Sequence, residues 1–467
     1  MATPNTPDTT RPSIVWFRDD LRLADNPALR AAVDRGAPVV AVFILDEESP
    51  GIRSLGAAAK WWLHHSLNQL ASRLADRGAR LILRRGPAAD VIRSLADETD
   101  AGAVFWNRRY GGAERSVDQG IKERVRDAGA DVASFAASVL FEPWTVTTGA
   151  GTPYAVFTPF WKACQALPAP RQPLPEPREI AGADLAIASD DLDEWMLLPT
   201  SPDWATGFTE TGEPGELGAR QRLAAFLDED LGSYDSARDE PAAGSTSRLS
   251  APLRWGEISP YTVWHETLAH AGTGRHAASA HRFLSEIGWR EFAWHIAYHS
   301  PDLATKNIKR EFDEFPWPPL DEDHLRAWQR GVTGVPLVDA GMRELWHTGT
   351  MHNRVRMVVA SFLTKNLLID WRLGEQWFWD TLIDADAASN PFNWQWVAGS
   401  GADAAPYFRV FNPELQAQKF DPHGEYIRSW APEYTGAGDG LAPQPIVDLR
   451  ETRQRALDAY DVVKRSR

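Results

Sequence analysis

Residues 14–22 read Ile-Val-Trp-Phe-Arg-Asp-Asp-Leu-Arg, a short apolar run that turns abruptly into charged residues. Apolar runs of this kind recur along the first part of the chain, with amphipathic stretches between them. Strands that alternate with helices are typical of a parallel sheet covered by helices on both faces. We therefore predict a Rossmann-like α/β domain with a five-stranded parallel sheet at residues 13–140. The predicted strands are 14–17, 39–45, 81–83, 103–106 and 132–135, and the predicted helices are 28–35, 57–77, 88–97 and 114–128.

The turn after the first predicted strand has no glycine. A dinucleotide-binding Rossmann domain carries G-x-G-x-x-G there, because glycines let the backbone approach the pyrophosphate. This chain has Arg18-Asp19-Asp20-Leu21-Arg22 instead. The sheet is therefore not expected to hold the main cofactor in the Rossmann manner.

The rest of the chain divides by composition. Residues 1–12 are polar and rich in Pro and Thr, without the apolar centre of a signal peptide, and are predicted to be a disordered tail. Prolines at 168–177 and a Gly/Thr/Pro cluster at 206–215 predict a long linker over residues 141–215. From residue 216 to 467 apolar residues recur at three- and four-residue spacing, which predicts an all-α domain. Its clearest predicted helices are 277–298, 338–348, 353–368 and 375–383.

Composition limits the possible classes of protein. No apolar run approaches the roughly 20 residues that span a bilayer, so no membrane segment is expected. The single cysteine, Cys164, excludes an internal disulfide framework and favours a reducing cytoplasm. A net charge of −15 argues against general affinity for nucleic acid but permits a local basic face, because salt confines electrostatic attraction to short range.

Polar and aromatic side chains share helix faces in the predicted all-α domain. Glu286, Trp289 and Arg290 stand at i, i+3 and i+4, so a carboxylate, an indole and a guanidinium share one face. Asn353 and Met357 are likewise one turn apart. Each group alone has a structural explanation, and only their joint presence points to a site. The 21 tryptophans also exceed what core packing requires.

Two further motifs need separate treatment. Thr246-Ser247-Arg248-Leu249-Ser250 combines hydroxyls, backbone amides and an arginine, which suits phosphate binding, although an ordinary helix cap is the simpler explanation. His265 and His270 resemble the zinc motif H-E-x-x-H but are five residues apart, so they would face different sides of a helix. No metal site is expected.

Several longer strings, in order, resemble the photolyase/cryptochrome flavoproteins, specifically the class I cyclobutane pyrimidine dimer photolyases. The resemblance extends over the whole chain and implies an α/β antenna domain joined to a helical FAD-binding domain. The matching strings are WFRDDLR at 16–22, TSRLS at 246–250, EIGWREF at 286–292, MHNRVRM at 351–357, SFLTKNLLIDWR at 361–372, NWQW at 393–396 and APYFRVFNP at 405–413.

The resemblance implies a catalytic FAD, and it implies which residues hold it. Phosphate groups are expected at 246–250, the flavin ring along 384–386, and Arg356 is expected to pair with Asp384. Asn390 is expected to face flavin N5, where a neutral amide can donate or accept a hydrogen bond. The implied FAD-binding residues are Tyr234, Thr246, Ser247, Arg248, Leu249, Ser250, Phe283, Arg290, Arg356, Asp384, Ala385, Asp386 and Asn390.

The same resemblance implies a pocket for a flipped-out pyrimidine dimer. Trp289 and Trp396 are expected to stack on the dimer, and Glu286, Asn353 and Met357 to contact its edges. Glu286, Asn353, Met357 and Asn390 are the implied catalytic residues, and Glu286 is further expected to stabilise the dimer radical anion. The implied DNA- and lesion-binding residues are Arg238, Glu286, Trp289, Arg290, Asn353, Arg354, Met357, Trp396, Arg409 and Gln416.

Three tryptophans match the family's electron-transfer chain: Trp394, Trp371 and Trp317. Indole is readily oxidised and can be packed within tunnelling distance of its neighbour. Aromatic residues that merely fill the core would be the better explanation for an arbitrary trio. The match to the family pattern favours the electron-transfer interpretation.

The resemblance therefore predicts a light-driven DNA repair lyase that splits cyclobutane pyrimidine dimers by electron transfer from reduced FAD. The alternatives are a (6-4) photolyase, which would show further histidines near Asn353, and a signalling cryptochrome, against which Asn390 argues. We expect a cytoplasmic monomer whose partner is damaged DNA. A second antenna chromophore (folate, deazaflavin or flavin) is possible near residues 105–111, but the sequence does not identify it.

Overall fold

The computed structural model describes residues 9–272, 274, 276–404, 409–436 and 440–465. Most of the predicted tail, residues 1–8, and the stretch 405–408 of the last matching string lie outside these described residues. Within them, Arg11 donates hydrogen bonds to the backbone carbonyls of Asp100 and Ala101, both at 3.1 Å. Contacts with the α/β domain therefore begin before residue 13.

The N-terminal domain is the predicted five-stranded parallel sheet, with its strands in the order β3 (Leu81–Arg85), β2 (Val39–Leu45), β1 (Ser13–Phe17), β4 (Ala103–Asn107) and β5 (Asp131–Phe135). Residues of β1 alternate between two cores, as expected for a strand buried on both faces. Val15 and Phe17 face the core under the first two helices, whereas Ile14 and Trp16 face the core under the next two. The elements are β1 (Ser13–Phe17), α1 (Pro27–Asp34), β2 (Val39–Leu45), α2 (Ala57–Asp76), β3 (Leu81–Arg85), α3 (Ala88–Thr99), β4 (Ala103–Asn107), α4 (Gly112–Asp127) and β5 (Asp131–Phe135).

Charged residues fill the carboxyl edge of the sheet where a Rossmann domain would have its glycine loop. Arg18 donates to Asp118 at 2.5 Å, and Asn107 donates to Asp20 at 2.6 Å. Arg18 and Asp20 are both buried. Burial raises the pKa of the Asp20 carboxyl, and neighbouring donors oppose that rise. Side chains therefore occupy the space that a pyrophosphate would need at this strand end.

The predicted linker contains a helix that the sequence analysis missed, α5 (Phe157–Ala166). Its buried residues Phe157, Phe160 and Trp161 pack against a long helix of the C-terminal domain. Gly288 of that helix permits the close approach, because a Cβ there would lie 2.7 Å from the Trp161 ring. The predicted linker over residues 141–215 therefore contains a packed helix, whose apolar face determines its position.

The C-terminal domain is all-helical in the described residues, as predicted. The helix predicted at 375–383 begins four residues earlier, at Trp371. Asp370 caps it by accepting a hydrogen bond from the backbone N–H of Arg372 at 2.9 Å. Two π-helical segments, Phe226–Asp230 and Phe362–Asn366, extend the helices before them. The helices are α6 (Glu216–Ala225), α7 (Tyr234–Ala237), α8 (Ser250–Arg254), α9 (Pro260–Ala271), α10 (Ala277–His299), α11 (Glu322–Arg330), α12 (Pro336–Thr348), α13 (Asn353–Ser361), α14 (Trp371–Thr381), α15 (Ser389–Ala398), α16 (Pro413–Phe420), α17 (Glu425–Trp430) and α18 (Leu449–Arg465).

Buried polar contacts join the two domains. Glu257, between α8 and α9, accepts hydrogen bonds from Trp62 Nε1 at 2.9 Å and Gly215 N at 2.7 Å, and also from the hydroxyl of Ser66. Burial raises the pKa of Glu257 to about 7. Because a buried carboxyl group is costly without partners, these bonds fix how α2 sits on the helical domain. In the described part of the chain, no helix has both the length and the apolar character needed to cross a membrane.

Candidate functional site

The strongest predicted contact joins α13 to the segment before α15. Arg356 donates to both carboxylate oxygens of Asp384, at 3.1 and 2.8 Å, and its Nε donates to Met351 O at 2.7 Å. Asp384 is buried. A two-pronged guanidinium–carboxylate contact fixes direction as well as distance. The pair predicted between Arg356 and Asp384 is therefore present, and it orients the 384–386 segment.

Asp386 sets the start of α15. Its Oδ1 accepts from the backbone N–H groups of Ala388 at 2.8 Å and Ser389 at 2.5 Å. Such a cap satisfies donors that the first helical turn leaves free. Asn390 follows directly in the first turn of α15 and is buried. Its position therefore depends on the cap formed by Asp386.

A residue that the sequence analysis missed, Glu375, holds the side chain of Asn390. Its Nδ2 donates to the backbone carbonyl of Glu375 at 3.0 Å and to Glu375 Oε1 at 2.8 Å. Glu375 is paired in turn with Arg53 from the α/β domain. Arg53 and Glu375 are 322 positions apart, so no local pattern could have identified this pair.

The 246–250 segment has features of a ligand-binding loop. Arg248 adopts a left-handed backbone conformation, with φ of +50°. The hydroxyl of Ser245, just before the predicted segment, is buried and has no hydrogen-bond partner among the described residues. Buried hydroxyls are normally paired, so an orphan of this kind is consistent with a missing ligand. The predicted residues Thr246, Ser247, Leu249 and Ser250 flank Arg248 in this loop.

An aromatic wall stands beside that loop. The rings of Tyr234 and Phe283 lie 5.5 Å apart and nearly perpendicular, and Phe226 lies 4.6 Å from Phe283. Leu249 belongs to the same buried cluster. The predicted residues Tyr234, Phe283 and Leu249 are therefore brought together, and hydroxyls next to an apolar wall suit a ligand with both phosphates and flat rings.

The acidic residue of the predicted lesion site is held by an arginine. Glu286 on α10 accepts a hydrogen bond from Arg238 Nη1, which follows α7. The next residue, Asp239, pairs with Arg354 on α13 at 2.8 Å. These two ion pairs connect α10 and α13, the two helices that carry the predicted lesion contacts.

His352 caps α13 and also contacts the 238–239 segment. Its Nδ1 accepts from the backbone N–H of Arg354 at 3.2 Å, so Nε2 must carry the hydrogen that it donates to Arg238 O at 3.0 Å. Burial lowers the pKa of His352 to about 4. The ring is therefore neutral near pH 7, and its two hydrogen bonds fix the start of α13. Asn353 at that start is exposed, and Met357 one turn later is half-buried.

Trp289 lies flat against a ring of α5. The rings of Trp289 and Phe157 are 3.8 Å apart and inclined by only 10°. Trp289 is only partly buried, and so is Trp396 on α15, which packs against a different cluster. The stack with Phe157 supports one face of Trp289. The helix missed in the predicted linker therefore supports a predicted lesion contact.

Arg290 has a different environment from its neighbours. Its Nη1 donates to Ser138 O at 2.6 Å and its Nη2 to Leu253 O at 3.3 Å. These bonds connect α10 to the end of the α/β domain and to α8. Both terminal nitrogens of Arg290 therefore already donate to backbone carbonyls, and for this reason we do not propose that Arg290 contacts a lesion.

The three predicted electron-transfer tryptophans pack in or against one apolar cluster. Trp394 and Trp371 are buried in it, and Trp317 is partly buried at its edge. Trp371 Nε1 donates to Asn307 Oδ1 at 3.0 Å. Gly374 lets α14 approach Trp394 closely, since a Cβ there would lie 2.1 Å from the indole ring. Two of the three tryptophans are therefore buried and the third is partly exposed, and their role in electron transfer stays a prediction.

The remaining predicted DNA contacts lie around α16. Arg409 is exposed before this helix, Gln416 is half-buried on it, and the guanidinium carbon of Arg354 is 4.5 Å from the ring of Phe420 at its end. Arg354 is thus held between Asp239 and an aromatic ring. Arg354 and Arg409 are positively charged in a protein that is acidic overall.

A separate cavity of about 330 Å³ opens at the carboxyl ends of β4 and β5. It includes part of the 105–111 segment suggested for an antenna chromophore. Arg109 Nε and Tyr110 Oη are buried there without hydrogen-bond partners among the described residues. The cavity is lined by Arg108, Arg109, Tyr110, Arg115, Asp118, Gln119, Lys122, Glu123, Arg126, Ser134, Trp144 and Tyr298.

The first histidine of the near-zinc motif contacts the predicted linker. His265 Nε2 lies 3.0 Å from the carbonyl oxygens of Pro170 and Arg171, and its Nδ1 contacts Gln172. The ring is therefore used to hold the proline-rich linker. Across the described residues, no three His, Cys, Asp or Glu side chains are grouped as metal ligands would be.

Comparison with known proteins gives a consistent assignment. A family model described as DNA photolyase matches residues 13–178, and one described as the FAD binding domain of DNA photolyase matches residues 283–441. A deoxyribodipyrimidine photo-lyase from Agrobacterium fabrum is 49% identical, with 98% of this chain and 99% of that protein covered. Cryptochrome-1 from Arabidopsis thaliana is 38% identical, with 96% and 70% covered.

A solved structure agrees with these relatives. The crystal structure of a bacterial class III photolyase from Agrobacterium tumefaciens superposes with a TM-score of 0.93 at 48% identity, and the match covers 98% of each chain. The fold is therefore shared over nearly the whole chain. The chain belongs to the photolyase/cryptochrome family.

Proposed function

We propose that the protein repairs DNA in the light by splitting cyclobutane pyrimidine dimers, with reduced FAD as its cofactor. The observation that carries this proposal is the link between α10 and α13 through Arg238–Glu286 and Asp239–Arg354, which connects the helices of the expected lesion contacts. Relatives named deoxyribodipyrimidine photo-lyase support it. This is the function that the sequence predicted.

The chain's own residues fit a flavin nucleotide. The unpaired Ser245 hydroxyl and the 246–250 loop would bind phosphates, and Tyr234 and Phe283 would form an apolar wall. The Arg356–Asp384 pair would hold the polar edge of the ring system. Bound FAD supplies the photoexcited electron, and the protein binds, orients and shields the reactants.

Lesion binding would use aromatic stacking and hydrogen bonds. A dimer must leave the duplex to reach a pocket, and its poor stacking lowers the cost of flipping. Trp289, supported from behind by Phe157, offers a flat surface, and Trp396 offers a second. Glu286, Asn353 and Met357 would contact the edges of the dimer. Arg354, Arg409 and Gln416 would hold flanking phosphates.

The test is a repair assay with the purified protein containing reduced FAD. Dimer-containing DNA should be restored under blue or near-ultraviolet light and should remain unchanged in the dark. A parallel substrate with (6-4) photoproducts separates the first rival activity. If the dimers stay intact after illumination while the flavin is fully reduced, the repair function is wrong and a signalling cryptochrome becomes the favoured function.

We further propose that the protein belongs to the class III branch of photolyases, rather than to class I as the sequence resemblance predicted. The similar structure at 48% identity is titled a class III photolyase, and it aligns with this chain from end to end. The class I expectation rested on strings of residues that surround the cofactor and lesion. Such strings report a shared reaction more strongly than they report a branch within the family.

The cavity beside Arg109 is our candidate for an antenna site. Its arginines and lysine would attract an anionic ligand, and Trp144 and Tyr298 would contact flat rings. The choice among folate, deazaflavin and flavin stays open. An absorption spectrum of the purified protein, compared with that of an Arg109→Ala variant, separates a bound antenna from the catalytic flavin.

Replacement of Arg354 with alanine should lower the salt dependence of DNA binding. If Arg354 contacts one phosphate, the slope of log K against log salt should become less steep by about one unit. The contact with Asp239 must be exchanged for DNA, so the loss of affinity should be modest. Fluorescence anisotropy at several salt concentrations measures the slope, and an unaltered slope would exclude Arg354 as a phosphate contact.

Replacement of Trp317 with phenylalanine should slow photoreduction of oxidised FAD and spare repair from FAD reduced beforehand. Phenylalanine preserves the packing on Phe315, whose ring lies 4.3 Å away, but it is far harder to oxidise. Flash absorption spectroscopy measures the first effect and the repair assay the second. Equal photoreduction rates in both proteins would remove Trp317 from the electron-transfer chain.

A further inference from the structure

Asn390 is held by a chain of contacts that begins in the α/β domain. Arg53, between β2 and α2, contacts both carboxylate oxygens of Glu375 on α14, at 2.7 and 3.0 Å. Oε1 of that carboxylate and the backbone carbonyl of Glu375 both accept from Asn390 Nδ2. Three segments distant in sequence are thus connected in series.

These contacts determine which end of the Asn390 amide is available. An amide nitrogen has two hydrogens, and the two acceptors of Glu375 account for both. No described residue donates to Asn390 Oδ1. The side chain therefore offers its carbonyl oxygen, a hydrogen-bond acceptor, to a ligand. In the reverse orientation the amide oxygen would face the carboxylate of Glu375, and two acceptors would repel each other.

An ionised Glu375 can accept from Arg53 and Asn390 at the same time, and Arg53 favours that state. The Glu375 side chain is only 2% exposed, and burial raises the pKa of its carboxyl group. The Arg53 guanidinium and the Asn390 amide oppose this rise. A protonated carboxyl group would have a hydrogen to donate and would compete for these contacts, and the backbone carbonyl of Glu375 would be the acceptor that Asn390 keeps in either state.

Arg53 itself is well restrained. Its guanidinium carbon lies 4.1 Å from the centre of the Trp379 ring, and Trp379 Nε1 donates to Ser54 O at 2.9 Å. Both residues are at the contact between the α/β domain and α14. The direction of the guanidinium is thus set by the docking of one domain on the other.

We propose that Arg53 is a positioning residue, which acts through Glu375 to make Asn390 present its carbonyl oxygen to the flavin ring. The proposal rests on the proposed function in one respect, namely that Asn390 borders the flavin. It adds that a residue of the α/β domain controls the hydrogen-bonding character of the catalytic site. Docking of the domains would therefore tune the cofactor as well as close the site.

The test compares Arg53→Gln with Arg53→Lys and with Asp380→Ala. Asp380 is a matched control, since it lies on the same helix and accepts from Ala57 N at 2.9 Å across the same interface but does not touch Glu375. Arg53→Gln should shift the midpoint potential and visible absorption of bound FAD relative to both wild type and control. Light-driven repair should fall by up to about 100-fold, the scale of a small misplacement at a reacting centre. Arg53→Lys should recover part of the shift, because lysine keeps the charge but not the two-pronged geometry.

The outcomes separate this proposal from the function. If wild type repairs dimers and Arg53→Gln has the potential and spectrum of Asp380→Ala, the positioning role is wrong. If wild type with reduced FAD fails to repair, the proposed function is wrong, and the potentials still test the positioning role. If Arg53→Gln fails to fold, Glu375→Gln replaces it, because that variant keeps the shape and removes the carboxylate; an unchanged flavin potential there would overturn the proposal equally.

Discussion

Replacement of Trp289 with alanine is expected to weaken binding of dimer-containing DNA by about 1–3 kcal/mol, or roughly 5- to 150-fold. Stacking of a base on an aromatic ring has this magnitude, and the Trp289 ring is held flat by Phe157 at 3.8 Å. The variant also exposes Phe157 where the indole had covered it. Competition binding with matched damaged and undamaged duplexes measures the change.

The effect should be specific to the lesion. Trp289→Phe keeps a flat ring on Phe157 and should retain most of the affinity, whereas undamaged DNA should bind all variants alike. Trp346→Ala is a suitable control, since this tryptophan is 51% exposed on α12, outside the proposed lesion site. Equal affinity of wild type and Trp289→Ala for damaged DNA would show that the indole does not contact the dimer.

The α/β sheet was predictable because its signals are local. Three of the five strands, β1, β2 and β4, are short runs buried along their whole length, and the observed strands differ from the predicted ones by two residues at most. Helix α5 was missed because proline-rich sequence surrounds it and its apolar residues pair with α10, more than a hundred positions away. That tertiary contact determines the position of α5, and a local sequence pattern contains no information about it.

The candidate site divides in the same way. The Arg356–Asp384 pair was among the contacts that the resemblance implied, and the structure contains it. Glu375 and Arg53 belong to no matching string used in the sequence analysis, and their partnership exists only after the domains dock. Sequence reasoning therefore identified side chains expected to touch cofactor or lesion more readily than the groups that orient them.

Replacement of Asp384 with asparagine is expected to reduce both stability and FAD content. Asparagine has the same shape, but its amide nitrogen would point hydrogens at the Arg356 guanidinium, which in the wild type donates to both carboxylate oxygens of Asp384. Breaking a buried ion pair costs about 3–5 kcal/mol, and the lower end applies because 27% of the Arg356 side chain stays exposed. Urea unfolding and the ratio of flavin to protein after purification measure the two effects.

Asp239→Asn is the matched control for Asp384→Asn. Asp239 also pairs with an arginine of α13, but its side chain is 39% exposed, and exposed pairs contribute only about 0–1 kcal/mol. Asp384→Asn should therefore destabilise the protein by at least twice as much and should lower FAD content, while Asp239→Asn should leave FAD content unchanged. If the two variants unfold at the same urea concentration and have the same ratio of flavin to protein, the prediction is wrong. The burial of Asp384 and its two-pronged contact with Arg356 would then have no measurable effect on the cofactor site.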